Sequence, residues 1–286
     1  MNQSSATASG TLYVVATPIG NLNDITLRAL EVLNQCDLVA CEDTRHSMRL
    51  FQAHGITTKT VALHQHNEAK QSHKLIERLI NGDDVALVSD AGTPLISDPG
   101  FPLLGLAHEN NIKVVPIPGP SALIALLSVA AINTQPFVFH GFVPPKSKQR
   151  VAEFVSWLET TATHVYYESS HRIVASIEAL IEVFGETAEV AMGRELTKTF
   201  EQIFTGTAIE LLQLVESNNN HQKGEFVLAV LNKKPAVSDE IGSQPAALIA
   251  QLMPLLPPKT VAKVVADHYG LNKKQVYNFI LRQATT

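Results

Sequence analysis

The residues able to do chemistry come in short polar clusters, each directly after an apolar run. Val85-Ala-Leu-Val88 runs into Ser89-Asp90-Ala91-Gly92-Thr93-Pro94, and Ser97-Asp98-Pro99-Gly100 follows closely. Gly92 lets backbone approach a ligand, and Pro94 and Pro99 fix the path of the loop. Asp90 and Asp98 offer carboxylates to an amine or to hydroxyls. Three more runs end the same way. Leu38–Cys41 delivers Glu42-Asp43-Thr44-Arg45-His46. The run from His164 delivers Glu168-Ser-Ser-His171-Arg172, and Glu189–Met192 delivers Gly193-Arg194-Glu195-Leu196-Thr197-Lys198. Carboxylates and lysine can move protons, and arginine forks suit phosphate. The same residue types also cap helices and form turns, and spacing alone leaves both readings open. His64 and His66 stand at i, i+2 in a short polar run with no cysteine nearby, and no metal site is expected from them.

These clusters must sit on a scaffold that gathers them. Thr11–Ala16 is a short β-rich run that stops at Thr17-Pro18-Ile19-Gly20-Asn21, after which Asp24 or Thr26 can cap a helix. Strand, Gly/Pro loop and helix make the opening unit of a parallel sheet, whose ligands bind at the carboxyl ends of the strands. The loop lacks G-x-G-x-x-G, so an ordinary dinucleotide fold is not supported. Pro116-Ile-Pro-Gly-Pro-Ser121 opens an apolar helix over Ala122–Val129. Its start suits an anion, and the cluster also reads as an interdomain hinge. In the second half, Val143–Lys148 reads as a basic loop before a helix at Val151–Leu158. Thr199–Thr205 reads as a hairpin partner of Glu189–Met192, and Glu225–Leu231 as the closing strand, so this sheet should be mixed.

With 286 residues, 45% of them hydrophobic, the chain can bury a sizeable core. Two cysteines, Cys36 and Cys41, make no disulfide framework and suit a reducing cytoplasm. No apolar run reaches the ~20 residues of a membrane span. The first ten residues, MNQSSATASG, lack the pattern of a secretory signal and read as a disordered tail. The stretch 233–244 turns polar and reads as a linker. Beyond it, 245–286 carries three short helical patterns, with Gly270 between the last two: a helix-turn-helix. Its last helix is expected to turn Lys273, Lys274, Tyr277, Asn278 and Arg282 outward. From Pro257 onward the net charge is +4, against −5 for the whole chain, so the remainder carries −9. Nucleic acid would then be met by local basic patches, in this module and at Lys146, Lys148 and Arg150.

Taken as an ordered set, TPIGNL, ACEDTRHS, HNE, SDAGTPLISDPG, PIPGPSA, YYESSHRI and GRELTKTFE resemble the tetrapyrrole-methylase-like superfamily of S-adenosylmethionine (SAM) methyltransferases. More narrowly they resemble its bacterial branch of small-subunit ribosomal RNA cytidine 2′-O-methyltransferases. The resemblance implies two α/β domains, 11–118 and 119–232, with a cofactor cleft between them and a small all-α helix-turn-helix module behind. It implies a homodimer that methylates a decoding-centre cytidine of 16S ribosomal RNA, free or in the small subunit. Carried over by position, Pro18, Gly20, Asp90, Ala91, Gly92, Ser97, Asp98, Ser121, Ala122, Tyr167 and Met192 would hold SAM. The superfamily's G-D-P turn stands here as Gly92-Thr93-Pro94, which leaves the role of Asp90 open. For the reaction, Asp43, Arg45, Glu168, Arg194, Glu195 and Lys198 are the catalytic candidates, with Glu42 and Glu68 beside them. A carboxylate or Lys198 would be the base, and Arg45, Arg172 and Arg194 phosphate clamps. No metal is required. Two competing readings are a tetrapyrrole methyltransferase and a non-enzymatic nucleic-acid-binding ligand sensor.

Overall fold

The computed structural model describes residues 9–233, 241, 243–269 and 271–283, without the side chains of Ser243, Gln275, Asn278 and Arg282. Most of the N-terminal tail, most of the linker and Gly270 lie outside the described residues. The chain up to Asn232 is one compact unit, and the chain from Lys233 is a second.

The first unit is built on two five-stranded sheets. β1 (Thr11–Val15), β2 (Leu38–Cys41), β3 (Thr60–Ala62), β4 (Val85–Val88) and β5 (Lys113–Ile117) form the first, in the order β3-β2-β4-β1-β5. Every neighbouring pair in it is parallel. All residues of β2 and β4 are buried, as interior strands of a parallel sheet covered on both faces require. α1 (Leu27–Gln35) and α2 (Thr44–His54) cover one face through Ala29, Leu33, Leu50 and Phe51. α3 (Glu68–Ile80) and α4 (Phe101–Glu109) cover the other through Leu75, Leu79 and Leu103. Thr26 caps α1 by accepting from the Ala29 N–H, and Asp24 falls in the 3₁₀ turn before it. Cys36 and Cys41 are buried free thiols, each pushed up to about 11 by burial.

β6 (Phe137–Phe142), β7 (Thr163–Ser169), β8 (Glu189–Arg194), β9 (Gln202–Thr207) and β10 (Glu225–Leu231) form the second sheet, in the order β6-β7-β10-β8-β9. It is mixed: β6 and β7 are parallel and the other pairs antiparallel. Its two faces part the apolar residues by strict alternation. α5 (Ala122–Val129) packs Leu123 and Leu126 on Val165, Ala191, Val227 and Ala229. α6 (Ser147–Trp157), α7 (Ile173–Phe184) and α8 (Ala208–Glu216) pack on the opposite face, against Tyr166, Val190, Met192 and Leu228. A division of this unit near Pro118 is consistent with α5 packing on the second sheet; the boundary itself is a proposal.

Three expectations are corrected here. The hairpin partner of β8 starts at Gln202 rather than Thr199, because Leu196–Phe200 forms a tight turn outside the ladder. α6 starts at Ser147 rather than Val151, which winds the supposed basic loop into the helix. Arg150 is thereby buried at 3% exposure, its guanidinium donating to the Pro145 and Ala175 carbonyls, so it offers nothing to RNA.

The second unit comprises α9 (Ser243–Leu252), α10 (Pro258–Tyr269) and α11 (Lys273–Gln283) around Ile249, Val261, Val265, Val276 and Ile280. Asn272 accepts from the Lys274 N–H at the start of α11. Lys273 and Lys274 are exposed. Tyr277 is not outward: its ring packs against this core, since i+1 from Val276 still lies on the flank of the apolar stripe. Among the described residues no helix is long and apolar enough to cross a membrane.

Candidate active site

Strand ends of the first sheet converge on one cavity because their loops are tied to each other. The Thr17 N–H donates to the Gly92 carbonyl at 2.9 Å and the Gly92 N–H returns to the Thr17 carbonyl at 3.1 Å. The Thr17 hydroxyl reaches the Ser89 carbonyl, and the Thr93 hydroxyl the Pro120 carbonyl. The loops after β1, β4 and β5 are thus one framework. Gly92 sits at φ 81°, a left-handed conformation that glycine adopts without strain.

The cavity has a volume of about 560 Å³, within the range of small-ligand sites. Asp90, Ala91, Gly92, Ser97, Asp98, Ser121, Ala122 and Tyr167 line it, so eight of the eleven expected cofactor positions come together. Ser121 holds the N-cap position of α5 without making a cap hydrogen bond. Pro18 and Gly20 line instead a neighbouring cavity of about 940 Å³, which shares Ile19, Asp90, Ala91 and Glu225 with the first. The Met192 side chain lines neither cavity. It is fully buried against the α6–α8 layer, while Ala191 faces α5 and Gly193 lines the cavity. One position along a strand reverses the face.

The catalytic candidates fare differently. Asp43 caps α2 by accepting from the Arg45 N–H and pairs with the Arg45 guanidinium at 2.7 Å. That hydrogen-bonded pair holds its carboxyl far below the usual range, and neither residue lines either of these two cavities, which argues against a reacting role for them. Glu168 borders the cavity, but one carboxylate oxygen is held by Arg172 at 2.7 Å and the Ser169 N–H at 2.8 Å. Its other oxygen is buried and without a hydrogen-bond partner among the described residues. Arg172 is spent in the same pair. Arg194 is buried, and its guanidinium donates to the carbonyls of Lys223, Phe200 and Asn220. It fastens turns and cannot clamp phosphate. Lys198 lines the larger cavity with its ammonium between Glu195 and Glu225, 2.9 Å from each. Burial works against the charge, but the two carboxylates outweigh it and hold the ammonium above its ordinary value. A lysine so protonated is not a base. Burial likewise opposes ionisation of Glu195, yet Lys198 and the Glu225 N–H hold its carboxyl below the usual range.

The group with the better placement is Glu42, at the end of β2 and lining the 560 Å³ cavity. Burial first, then Asp90 and Asp98, push its carboxyl above the ordinary range, and burial does the same to Asp98. Glu68 is drawn into structure, accepting from the Gly100 N–H at 2.9 Å. Sequence reasoning also missed Phe142 and the segment Gly224–Val227, which line the same cavity from the second sheet. The available signal was Gly224 standing directly before the apolar run Glu225–Leu231, and in the structure it holds φ 104°.

Carboxylates, small residues, a helix N-terminus and the rings of Phe142 and Tyr167 form a donor set that fits a zwitterionic, cationic cofactor with a flat base. A parallel α/β half joined to a mixed-sheet half, with such a cavity at the strand ends, defines a two-sheet α/β class with a small-ligand site. Residues 11–212 match the family model of tetrapyrrole (corrin/porphyrin) methylases, and the chain belongs to that family. Residues 239–284 match the RsmI C-terminal HTH domain. The chain is 44% identical over 282 residues to ribosomal RNA small subunit methyltransferase I of Escherichia coli O157:H7, covering 99% of this chain and 98% of that one. It is 45% identical over 277 residues to the protein of the same name from Pseudomonas aeruginosa, covering 96% and 98%. Among solved structures, diphthine synthase superposes with a TM-score of 0.61 at 17% identity, over 78% of this chain and 90% of that one. A cobalt precorrin-4 methyltransferase gives 0.57 at 18%, over 77% and 94%. At such identities these two show the fold alone.

Proposed function

We propose that this chain transfers the methyl group of SAM to the ribose 2′-oxygen of a decoding-centre cytidine in 16S ribosomal RNA. The observation that carries the reading is the pair of joined cavities: one sized and charged for the cofactor, the other polar and open beside it. Near-full-length similarity to proteins named for small-subunit ribosomal RNA methylation supports the substrate. Asp90, Ala91, Gly92, Ser97, Asp98, Ser121, Ala122 and Tyr167 hold SAM, which supplies an electrophilic methyl group. Glu42 accepts the proton of the ribose hydroxyl, since a base works best with a pKa shifted toward the working pH. Positioning the two reactants supplies the larger part of the rate, on the order of 7–11 kcal/mol. The protein works in the cytoplasm as a homodimer. Ile124 and Val129 of α5, each about half exposed, support a dimer surface.

The test is incubation with methyl-labelled SAM and small ribosomal subunits that lack the modification, with extracted 16S RNA and a tetrapyrrole alongside. Label should enter 16S RNA. Label entering the tetrapyrrole alone would favour the competing enzyme, and binding of SAM without any transfer would favour the sensor.

A further inference from the structure

We propose that the larger cavity is the subsite for the RNA strand, with Arg49 and His46 gripping the phosphodiester that flanks the target nucleotide. The proposal rests on the ribosomal RNA reading above and adds where and how the strand is held.

The cavity, of about 940 Å³, joins the smaller one through Ile19, Asp90, Ala91 and Glu225. A nucleotide filling it therefore reaches the cofactor cavity directly. Its charge is sorted. His46 and Arg49 line it from the exposed side of α2, and Arg49 has no ion pair among the described residues. Arg45, one turn earlier, is already committed to Asp43. The two carboxylates of the cavity belong to the shared end and are engaged: Asp90 accepts from the Asp43 N–H at 3.0 Å, and Glu225 pairs with Lys198. A phosphate on this side thus meets the unpaired Arg49 guanidinium and the His46 imidazole, away from the shared end that holds the two carboxylates.

The other walls suit ribose and base edges better than a flat macrocycle. Asn21 and Asn23 come from the loop after β1, and Thr197 and Thr199 from the turn between β8 and β9. The Asn21 N–H donates to the Thr197 hydroxyl at 3.0 Å, so the two walls are fastened together. Thr197 holds φ 66° and Glu195 φ 49° in that turn, conformations uncommon outside glycine and concentrated at functional sites. The concavity also restricts the RNA. In A-form duplex the 2′-hydroxyls line a wide, shallow groove, and such a rod does not enter a pocket. The nucleotide must be unpaired and turned out of its stack.

The experiment measures binding of an unpaired 16S-derived RNA segment across a salt series, with SAM affinity by calorimetry on the same preparations. Arg49→Glu should weaken RNA binding by roughly tenfold or more and flatten the salt slope by roughly 0.7 for each single-strand phosphate that is no longer neutralised. Arg49→Lys should restore the slope. SAM affinity should stay within about twofold in both, which also reports an intact fold. Asn23→Asp, on a different wall, should weaken RNA without touching SAM and serves should Arg49→Glu misfold. An unchanged slope and RNA affinity in Arg49→Glu and Asn23→Asp would overturn the subsite. So would competition by polyaspartate as strong as by RNA of equal length. These results are separate from the fate of the enzymatic reading, which falls only if the unmodified protein transfers no methyl to ribosomal RNA.

Discussion

Glu42 carries the most specific chemical expectation. Its carboxyl is pushed up by burial and by Asp90 and Asp98, and a base acts only when deprotonated. Turnover should therefore fall as pH drops through a pKa above the usual carboxylate range. Glu42→Gln should cost roughly 10²–10⁴ in kcat and abolish that acid limb, with SAM affinity retained in calorimetry. A Gln variant that keeps both rate and limb would remove Glu42 from the mechanism. Met192 is the complementary case. Met192→Ala should cost about 2–5 kcal/mol of stability in denaturant titration and leave SAM affinity of the folded protein unmoved. Loss of SAM binding at full stability would return Met192 to the site. The residue types of the site were legible in the sequence, but their orientations were not. Arg194, Arg150 and Lys198 each read as a free cation in a polar string. Each finds carbonyls or carboxylates only through turns and strands that the string does not specify.

The elements around the site follow from local rules that the sequence carries. β2 and β4 are continuous apolar runs, and interior parallel strands demand just that. α5 follows Pro116–Ser121, and α7 stops at Gly185. What local rules miss is where tertiary ties move a boundary, as with β9 starting at Gln202 and α6 at Ser147. The loop framework yields its own prediction. Gly92 lies at φ 81°, which costs a branched residue on the order of 1–2 kcal/mol. Its side chain would also enter the cavity wall beside Ile19. Gly92→Val should lose SAM binding in calorimetry while its circular dichroism spectrum stays native. Tight SAM binding by this variant would refute the site assignment.

For the whole molecule, charge divides the labour. The body is acidic, whereas the C-terminal module carries Lys273 and Lys274 exposed on α11. Changing both to Ala should weaken subunit binding and flatten its salt dependence by about one unit for each duplex phosphate that the module no longer neutralises, with SAM affinity unchanged. Identical binding across the salt series would make this module a structural cap. Sedimentation at micromolar concentration should give about twice the chain mass of 31.1 kDa, and a clean monomer would contradict the dimer. Fold class was readable at this scale because seven loop motifs recur in one order. Assembly was not, because apolar helix surface looks alike whether a neighbouring helix or a second copy covers it.

The most direct measurement is nucleoside mass mapping of 16S RNA after the purified protein has acted on unmodified small subunits with SAM. A single added methyl group is expected, on the ribose of one cytidine in the decoding centre. A methyl group on a base, on another nucleoside, or on no RNA at all would contradict the proposed reaction.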